Sequence, residues 1–253
     1  MTEENSQSED KNQPLIEHLI ELRSRILNSI ISIILVFLPL FYFANDLYAY
    51  ISEPLRGFLP ENSSMIATEV ASPFLTPFKL SLVLALFVAM PFVLHQVWGF
   101  IAPALYKKEK RFALPVLLSS IILFYVGIAF AFFIVFPLVF GFFTSAAPDG
   151  ITIMTDINRY LDFVLKLFFA FGIAFEIPIA TLLLIWSGAT SVENLKRKRP
   201  YVVIGCFIIG MLLTPPDIIS QILLAIPMWI LFELGILFSM LIKKPAKVVD
   251  DSS

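Results

Sequence analysis

Three acidic residues stand where an acid is costly or conspicuous. Glu176 is the one charge in FFAFGIAFEIPIATLLLIW, residues 168–186, and Pro178 follows two positions on. An acid at the middle of a membrane helix costs about 2.5–3.5 kcal/mol on insertion scales. It needs either a hydrogen bond to a neighbouring helix or a polar cavity that admits a substrate or a proton. Pro178 has no N–H to give to the carbonyl of Ala174, so local backbone is freed beside the acid. Glu21 lies four residues before Arg25 in PLIEHLIELRSRIL. That spacing suits a helical ion pair worth about 0.2–0.5 kcal/mol, or a carboxylate offered to an external cation. Glu109 is a single acid among Lys107, Lys108, Lys110 and Arg111. A solvated basic loop explains the lysines; an acid inside it can accept a ligand guanidinium through two parallel hydrogen bonds.

Other reactive side chains point to no chemistry of their own. His18 and His95 are far apart and have no cysteine companions, so no metal site is expected. Cys206, the one cysteine, sits in an apolar run and reads as a small apolar residue. Lys79, Asp162 and Lys166 fall near span ends, where snorkelling accounts for them, and Glu233 fits the same description at the other end. There is no Walker sequence, glycine-rich phosphate loop or Ser/His/Asp signature. The chain is therefore not expected to be an ATPase, a hydrolase or any other enzyme, and no cofactor is implied.

The elements that hold these residues are membrane helices. Of 253 residues, 58% are hydrophobic and 26 are Phe, with mean hydropathy +0.85. A soluble fold must also coat its exterior with polar groups, so the solvent here is a bilayer. Net charge of -2 gives no reason to expect nucleic acid. The first residues, MTEENSQSEDKNQP, are polar and acidic without a basic leader, so 1–13 are expected to be a disordered cytoplasmic tail. The membrane domain is expected over 14–241, and 242–253 form a second tail. Leu15, Leu19, Leu22 and Ile26 follow helical spacing, predicting an interfacial helix that runs into the first span.

About 20 apolar residues are needed per crossing. Spans are predicted at Ile26–Ala44, Phe74–Trp98 (with Thr76 and Pro77 as a helix start), Phe112–Phe143, Tyr160–Trp186, Tyr201–Leu213 and Ile218–Leu241. TPPD at 214–217 must turn between the last two. Of the 18 basic residues, all but Arg56, Lys79, Arg159 and Lys166 fall before span one, in the loops after spans two and four, or after span six. The positive-inside rule then puts both termini in the cytoplasm. Span five is short, roughly 20 Å at about 1.5 Å per residue against a hydrocarbon core of about 30 Å. The basic clusters flanking the last two segments favour a full but short hairpin, which should thin the bilayer or draw in partners. No internal repeat is evident.

Several strings converge on one family. HLIELRSRIL (18–27), VASPF (70–74), QVWGFIAPALYKKEKR (96–111), FEIP (175–178), KRKRPY (196–201) and GMLLTPPDIISQ (210–221) resemble the twin-arginine translocase subunit TatC of Gram-negative proteobacteria. The resemblance runs from Pro14 to Leu241. It implies an all-α membrane protein of the inner membrane whose six helices form a cupped, concave wall. It also implies a receptor for twin-arginine signal peptides that exports folded proteins with the proton-motive force, alongside the single-span partners TatA and TatB and further copies of itself. On the family pattern, Glu21, Arg23, Arg25, Phe100, Leu105 and Glu109 would bind the signal peptide. Met211, Thr214 and Gln221 would dock a partner helix, Pro54 and Asp217 would serve structure or assembly, and Glu176 would face into the cup.

Two other classes compete on residues alone. A proton-coupled small-solute transporter would use Glu176 as its proton site, and would be expected to show an inverted repeat and paired broken helices. A passive scaffold would not need isolated acids facing the cytoplasm.

Overall fold

In a computed structural model of the chain, the described residues are 3–58, 65–105, 113–145, 154–186, 188–214 and 218–241; side chains are described from 18 to 53, 65 to 100 and 114 to 145, and throughout the later segments. These residues are helical almost throughout. In order they form α1 (Glu3–Tyr42), α2 (Ala44–Phe58), α3 (Ser72–Leu105), α4 (Ala113–Phe130), a π turn (Ala131–Val135), α5 (Phe136–Ser145), α6 (Ile157–Ala174), α7 (Ile177–Trp186), α8 (Val192–Arg197), α9 (Arg199–Leu213) and α10 (Ile218–Leu241). Five segments are long and apolar enough to cross a membrane: His18–Tyr42, Ser72–Phe100, Leu114–Ser145, Ile157–Trp186 and Ile218–Leu241. The shorter apolar helix Arg199–Leu213 corresponds to the predicted fifth span and is two residues longer at its start than expected. The chain divides into two compact units. One comprises 1–57, 65–121 and 156–158, the other 58–64, 122–155 and 159–253.

In the first unit α1 and α3 pack as an antiparallel pair. His18 meets Phe100 at one end, Arg25 meets Gln96 and Gly99 a turn further, and Phe37 and Phe41 meet Phe78 at the other. The ring centroids of the last trio lie 5.4–5.6 Å apart, in the range where aromatic pairs attract edge-on or offset. The outward face of α1 leaves Ile26, Ile30, Ile34 and Leu38 exposed, as a lipid-facing helix requires. α1 extends back to Glu3, where the composition predicts a tail. Glu, Gln and Lys are fair helix formers, and a helix already nucleated can grow past Pro14, which lacks a hydrogen bond to residue 10.

Helix α3 starts at Ser72, not at Thr76. Ser72–Pro73 supplies the same start signal one turn earlier, with proline in the first turn, where its missing N–H costs nothing. Pro77 then falls inside the helix, and Ser81 donates its hydroxyl to the Pro77 carbonyl at 2.9 Å. Helix α2 was not predicted. Its Ala44, Leu47, Tyr48, Ile51 and Ser52 are covered while Asn45, Asp46, Ala49 and Tyr50 face out, a stripe of helical period. Asp156 organises the loop that precedes α6. Its Oδ1 accepts from the Asn158 N–H at 3.0 Å, and its Oδ2 accepts from the Thr68 N–H at 3.0 Å and hydroxyl at 2.7 Å. The Ile157 N–H closes the bridge to the Ile66 carbonyl at 2.9 Å.

In the second unit the third span is interrupted. Pro137 has no N–H and its ring would press on the carbonyl four residues back; the chain answers with the π turn just before it, where the Phe136 N–H reaches the carbonyl of Ala131. The fourth span breaks too, into α6 and α7. Gly235 of α10 lies so close to Pro178 and Thr181 of α7 that a Cβ there would stand 2.9 Å from the Pro178 Cα. Leu195, Phe232 and Ile236 form a buried cluster against which Ile177, Ile185, Val192 and Val202 pack, tying α7, α8, α9 and α10.

Candidate functional site

Glu21 and Arg25 share one face of α1, one helical turn apart. The Arg25 Nε and Nη2 both donate to the Glu21 Oε1, at 2.9 and 2.6 Å. The Arg25 Nη1 reaches the carbonyl of Gln96 on α3 at 3.4 Å. Gly99 receives the guanidinium: a Cβ at that position would overlap the Arg25 Nη1 and stand 2.9 Å from Cζ. The absent side chain is what lets the cation approach α3 this closely. Phe100 stacks on His18, with centroids 4.2 Å apart and planes 17° from parallel. The structure thus gathers Glu21, Arg25 and Phe100 at one end of the α1–α3 pair, and adds His18, Gln96 and Gly99. Arg23 is exposed on α1.

Sequence reasoning set His18 aside because it has no metal partner; its packing role needs a residue 82 positions away and carries no local signal. Leu105 and Pro54 lie in helices α3 and α2, and their side chains are outside the described residues. Glu109 and Asp217 are themselves outside them, as is the 242–253 tail.

Glu176 and Phe175 form the turn between α6 and α7. The Phe175 N–H still reaches the Phe171 carbonyl at 3.0 Å, but the Glu176 N–H reaches Ile173, only three residues back, also at 3.0 Å. Helical pairing resumes when the Ala180 N–H bonds the Glu176 carbonyl at 2.9 Å. Pro178 produces this break by leaving the Ala174 carbonyl without its partner four residues on. Glu176 is half-buried.

The α9–α10 hairpin carries the remaining residues. Met211 is exposed, 51% accessible. Thr214, buried, is the C-cap of α9: its N–H and its hydroxyl both return to the Gly210 carbonyl at 3.0 Å. Gln221 of α10 donates its Nε2 to the Phe207 carbonyl of α9 at 2.9 Å. Gln221 therefore ties the two helices of the hairpin, Thr214 closes the end of α9, and Met211 alone projects. At the other end of the hairpin the Arg199 Nη2 pairs with the Glu233 Oε2 at 2.5 Å. Glu233 thus has a specific partner where the sequence suggested snorkelling.

Helix α8 is capped at its start. The Ser191 Oγ accepts from the Asn194 N–H at 3.2 Å. The Glu193 carboxyl is held below its ordinary range, first by its own backbone N–H, then by the Ser191 hydroxyl and by Lys196.

This fold and these sites define a multi-pass, all-α membrane protein with a polar site at one end of a helix pair and a broken span that carries an acid. Residues 17–227 match the family described as TatC, Sec-independent protein translocase protein, and the chain belongs to that family. It is 62% identical over 229 residues to the Sec-independent protein translocase protein TatC of Azotobacter chroococcum mcd 1, covering 90% of each chain. It is 59% identical over 232 residues to the protein of the same name from Escherichia coli strain K12, covering 92% of this chain and 90% of that one. A crystal structure titled as the twin arginine translocase receptor TatC superposes with a TM-score of 0.81 at 38% identity, over 88% of this chain and 98% of that one. Family membership favours protein translocation over the small-solute transporter.

Proposed function

We propose that this chain is the signal-peptide receptor of a twin-arginine export system. It captures twin-arginine signal peptides at its cytoplasmic face and, with TatA and TatB, moves folded proteins across the inner membrane using the proton-motive force. Both termini are cytoplasmic in this reading, as the distribution of basic residues favours. Glu21 and Glu109 receive the arginine pair, with Arg23, Phe100 and Leu105 completing the site and Arg25 bordering it as the resting partner of Glu21; Pro54 and Asp217 support assembly. The observation that carries the proposal is the Glu21 carboxylate, whose Oε1 already accepts two N–H groups of a guanidinium at one end of the α1–α3 pair. A carboxylate that offers both oxygens to a guanidinium fork distinguishes arginine from lysine, whose ammonium is a point charge.

The test is capture of the purified chain by a twin-arginine peptide and by its twin-lysine counterpart. Retention by the first and loss with the second is expected; equal retention would remove the receptor reading.

The short hairpin supports a docking surface for a single-span partner around Met211, Thr214 and Gln221. A cysteine introduced at 211 should crosslink to a TatB-type helix, and crosslinks confined to α1 would put the docking site elsewhere.

A further inference from the structure

The cation on Glu21 belongs to the chain itself. Arg25 donates Nε at 2.9 Å and Nη2 at 2.6 Å to one carboxylate oxygen, Oε1, an oxygen that a ligand arginine binding through two parallel hydrogen bonds would also need, and its third nitrogen reaches the Gln96 carbonyl at 3.4 Å. An ordinary helical pair at this spacing swings free in solvent. This one is pressed against α3 at Gly99, the one residue type whose lack of a Cβ leaves room for the guanidinium. The Arg25 side chain is 24% exposed against 39% for Glu21, so the carboxylate is more open to solvent than the cation that covers it.

We propose that Arg25 is an internal competitor for the peptide site: it occupies the Glu21 carboxylate in the resting receptor, and a ligand arginine binds by displacing it. This rests on the receptor reading of Glu21 given above. The consequence is a fixed handicap on every ligand that uses that carboxylate. Apparent affinity falls by the fraction of receptors with Glu21 open. For a surface pair of ordinary strength the handicap is about two- to sixfold. A twin-arginine peptide has affinity to spare. A peptide with one arginine, already weak, is pushed towards release, so the threshold screens marginal signals without any change of contacts.

The experiment measures fluorescence anisotropy of labelled twin-arginine and single-arginine peptides on the purified full chain. Arg25→Gln should tighten both by the same factor, about two- to sixfold. Removing a positive charge would by itself draw a cationic peptide, so Gly99→Ala supplies the control: it keeps every charge, and its Cβ drives the guanidinium off its seat. It should tighten binding in the same direction. In a Glu21→Gln background neither substitution should tighten binding further, because the competed carboxylate is gone. Weaker binding with Gly99→Ala, or Arg25→Gln tightening that persists without Glu21, would overturn the proposal. If Glu21→Gln alone leaves twin-arginine binding unchanged, the receptor site itself is wrong and the competitor falls with it; that outcome is distinct from a Glu21-dependent site that Arg25 does not gate.

Discussion

Removing the Asp156 carboxylate should loosen the start of α6 by more than a helix cap alone is worth. Asp156 is 9% exposed and accepts three hydrogen bonds, one from Asn158 at the helix start and two from Thr68, 88 residues earlier. Loss of an N-cap costs about 0.5–2 kcal/mol. Asp156→Ala also removes the partner of the Thr68 N–H and hydroxyl; Thr68 is exposed, so water replaces the lost acceptor and the loss is that of an ordinary hydrogen bond, about 0.5–1.5 kcal/mol. The two contributions combine to about 1–3.5 kcal/mol. Asp156→Asn keeps one carbonyl oxygen, enough for either the cap or Thr68, and should lose about half as much. Thr68→Val removes only the hydroxyl bond and should cost about 1 kcal/mol. Thermal unfolding of the purified protein in detergent, read by intrinsic fluorescence, ranks the three: Ala lowest, then Asn, then Val. Equal midpoints for Asp156→Ala and the parent protein would refute the assignment of this carboxylate as the organiser of the loop.

Two further predictions follow from local geometry. Ser191→Ala removes the N-cap of α8 and one of the bonds that hold the Glu193 carboxyl low, so an NMR titration should put that carboxyl closer to its ordinary value. A depressed carboxylate contributes stability above its unfolded pKa and loses it as pH falls through the folded one; α8 should therefore fray only in acid below the usual carboxylate range, and a Glu193 titration unchanged by Ser191→Ala would contradict the bond. Glu176 is proposed as a hydrogen-bonding contact in the broken span, not as an obligatory proton carrier. Interhelical bonds in membranes are worth about 0.6–2 kcal/mol, so Glu176→Ala should weaken association with signal peptide or partner about threefold to thirtyfold, while Glu176→Gln is partly active. Export lost equally in both variants, with peptide and partner binding intact, would favour the proton-site reading.

Hydropathy reads span positions well because a membrane helix must satisfy its backbone internally and face lipid with apolar side chains. The bounds Ile218–Leu241 agree at both ends with α10, and α9 ends before the prolines that predict a stop, at Leu213. The interruptions were harder to see. Pro137 and Pro178 are plain in the sequence, but proline inside a membrane helix is compatible with a kink, a π turn or a full break; which occurs depends on the neighbours that accommodate it. Helix α2 was invisible because its stripe is only five residues deep and follows directly on the first span. Long-range partnerships had no local signal at all: Asp156 with Thr68, His18 with Phe100 and Arg199 with Glu233 need the fold to bring them together. At the candidate peptide site, Glu21 was chosen for its charge and spacing. The i, i+4 pair with Arg25 is legible in that spacing; that the guanidinium is also seated against α3 is decided by Gly99, a residue that offers no chemistry of its own.

The central claim is that two cytoplasmic carboxylates receive a pair of arginines. Its most direct measurement is export of a folded reporter carrying a twin-arginine signal in cells whose only copy of the chain is the Glu21→Ala/Glu109→Ala double variant, with membrane levels of the protein matched to the parent. Export is expected to stop, and photo-crosslinking of the signal peptide to the receptor to be lost, while the variant remains inserted. Export at the parental rate from the double variant would contradict it.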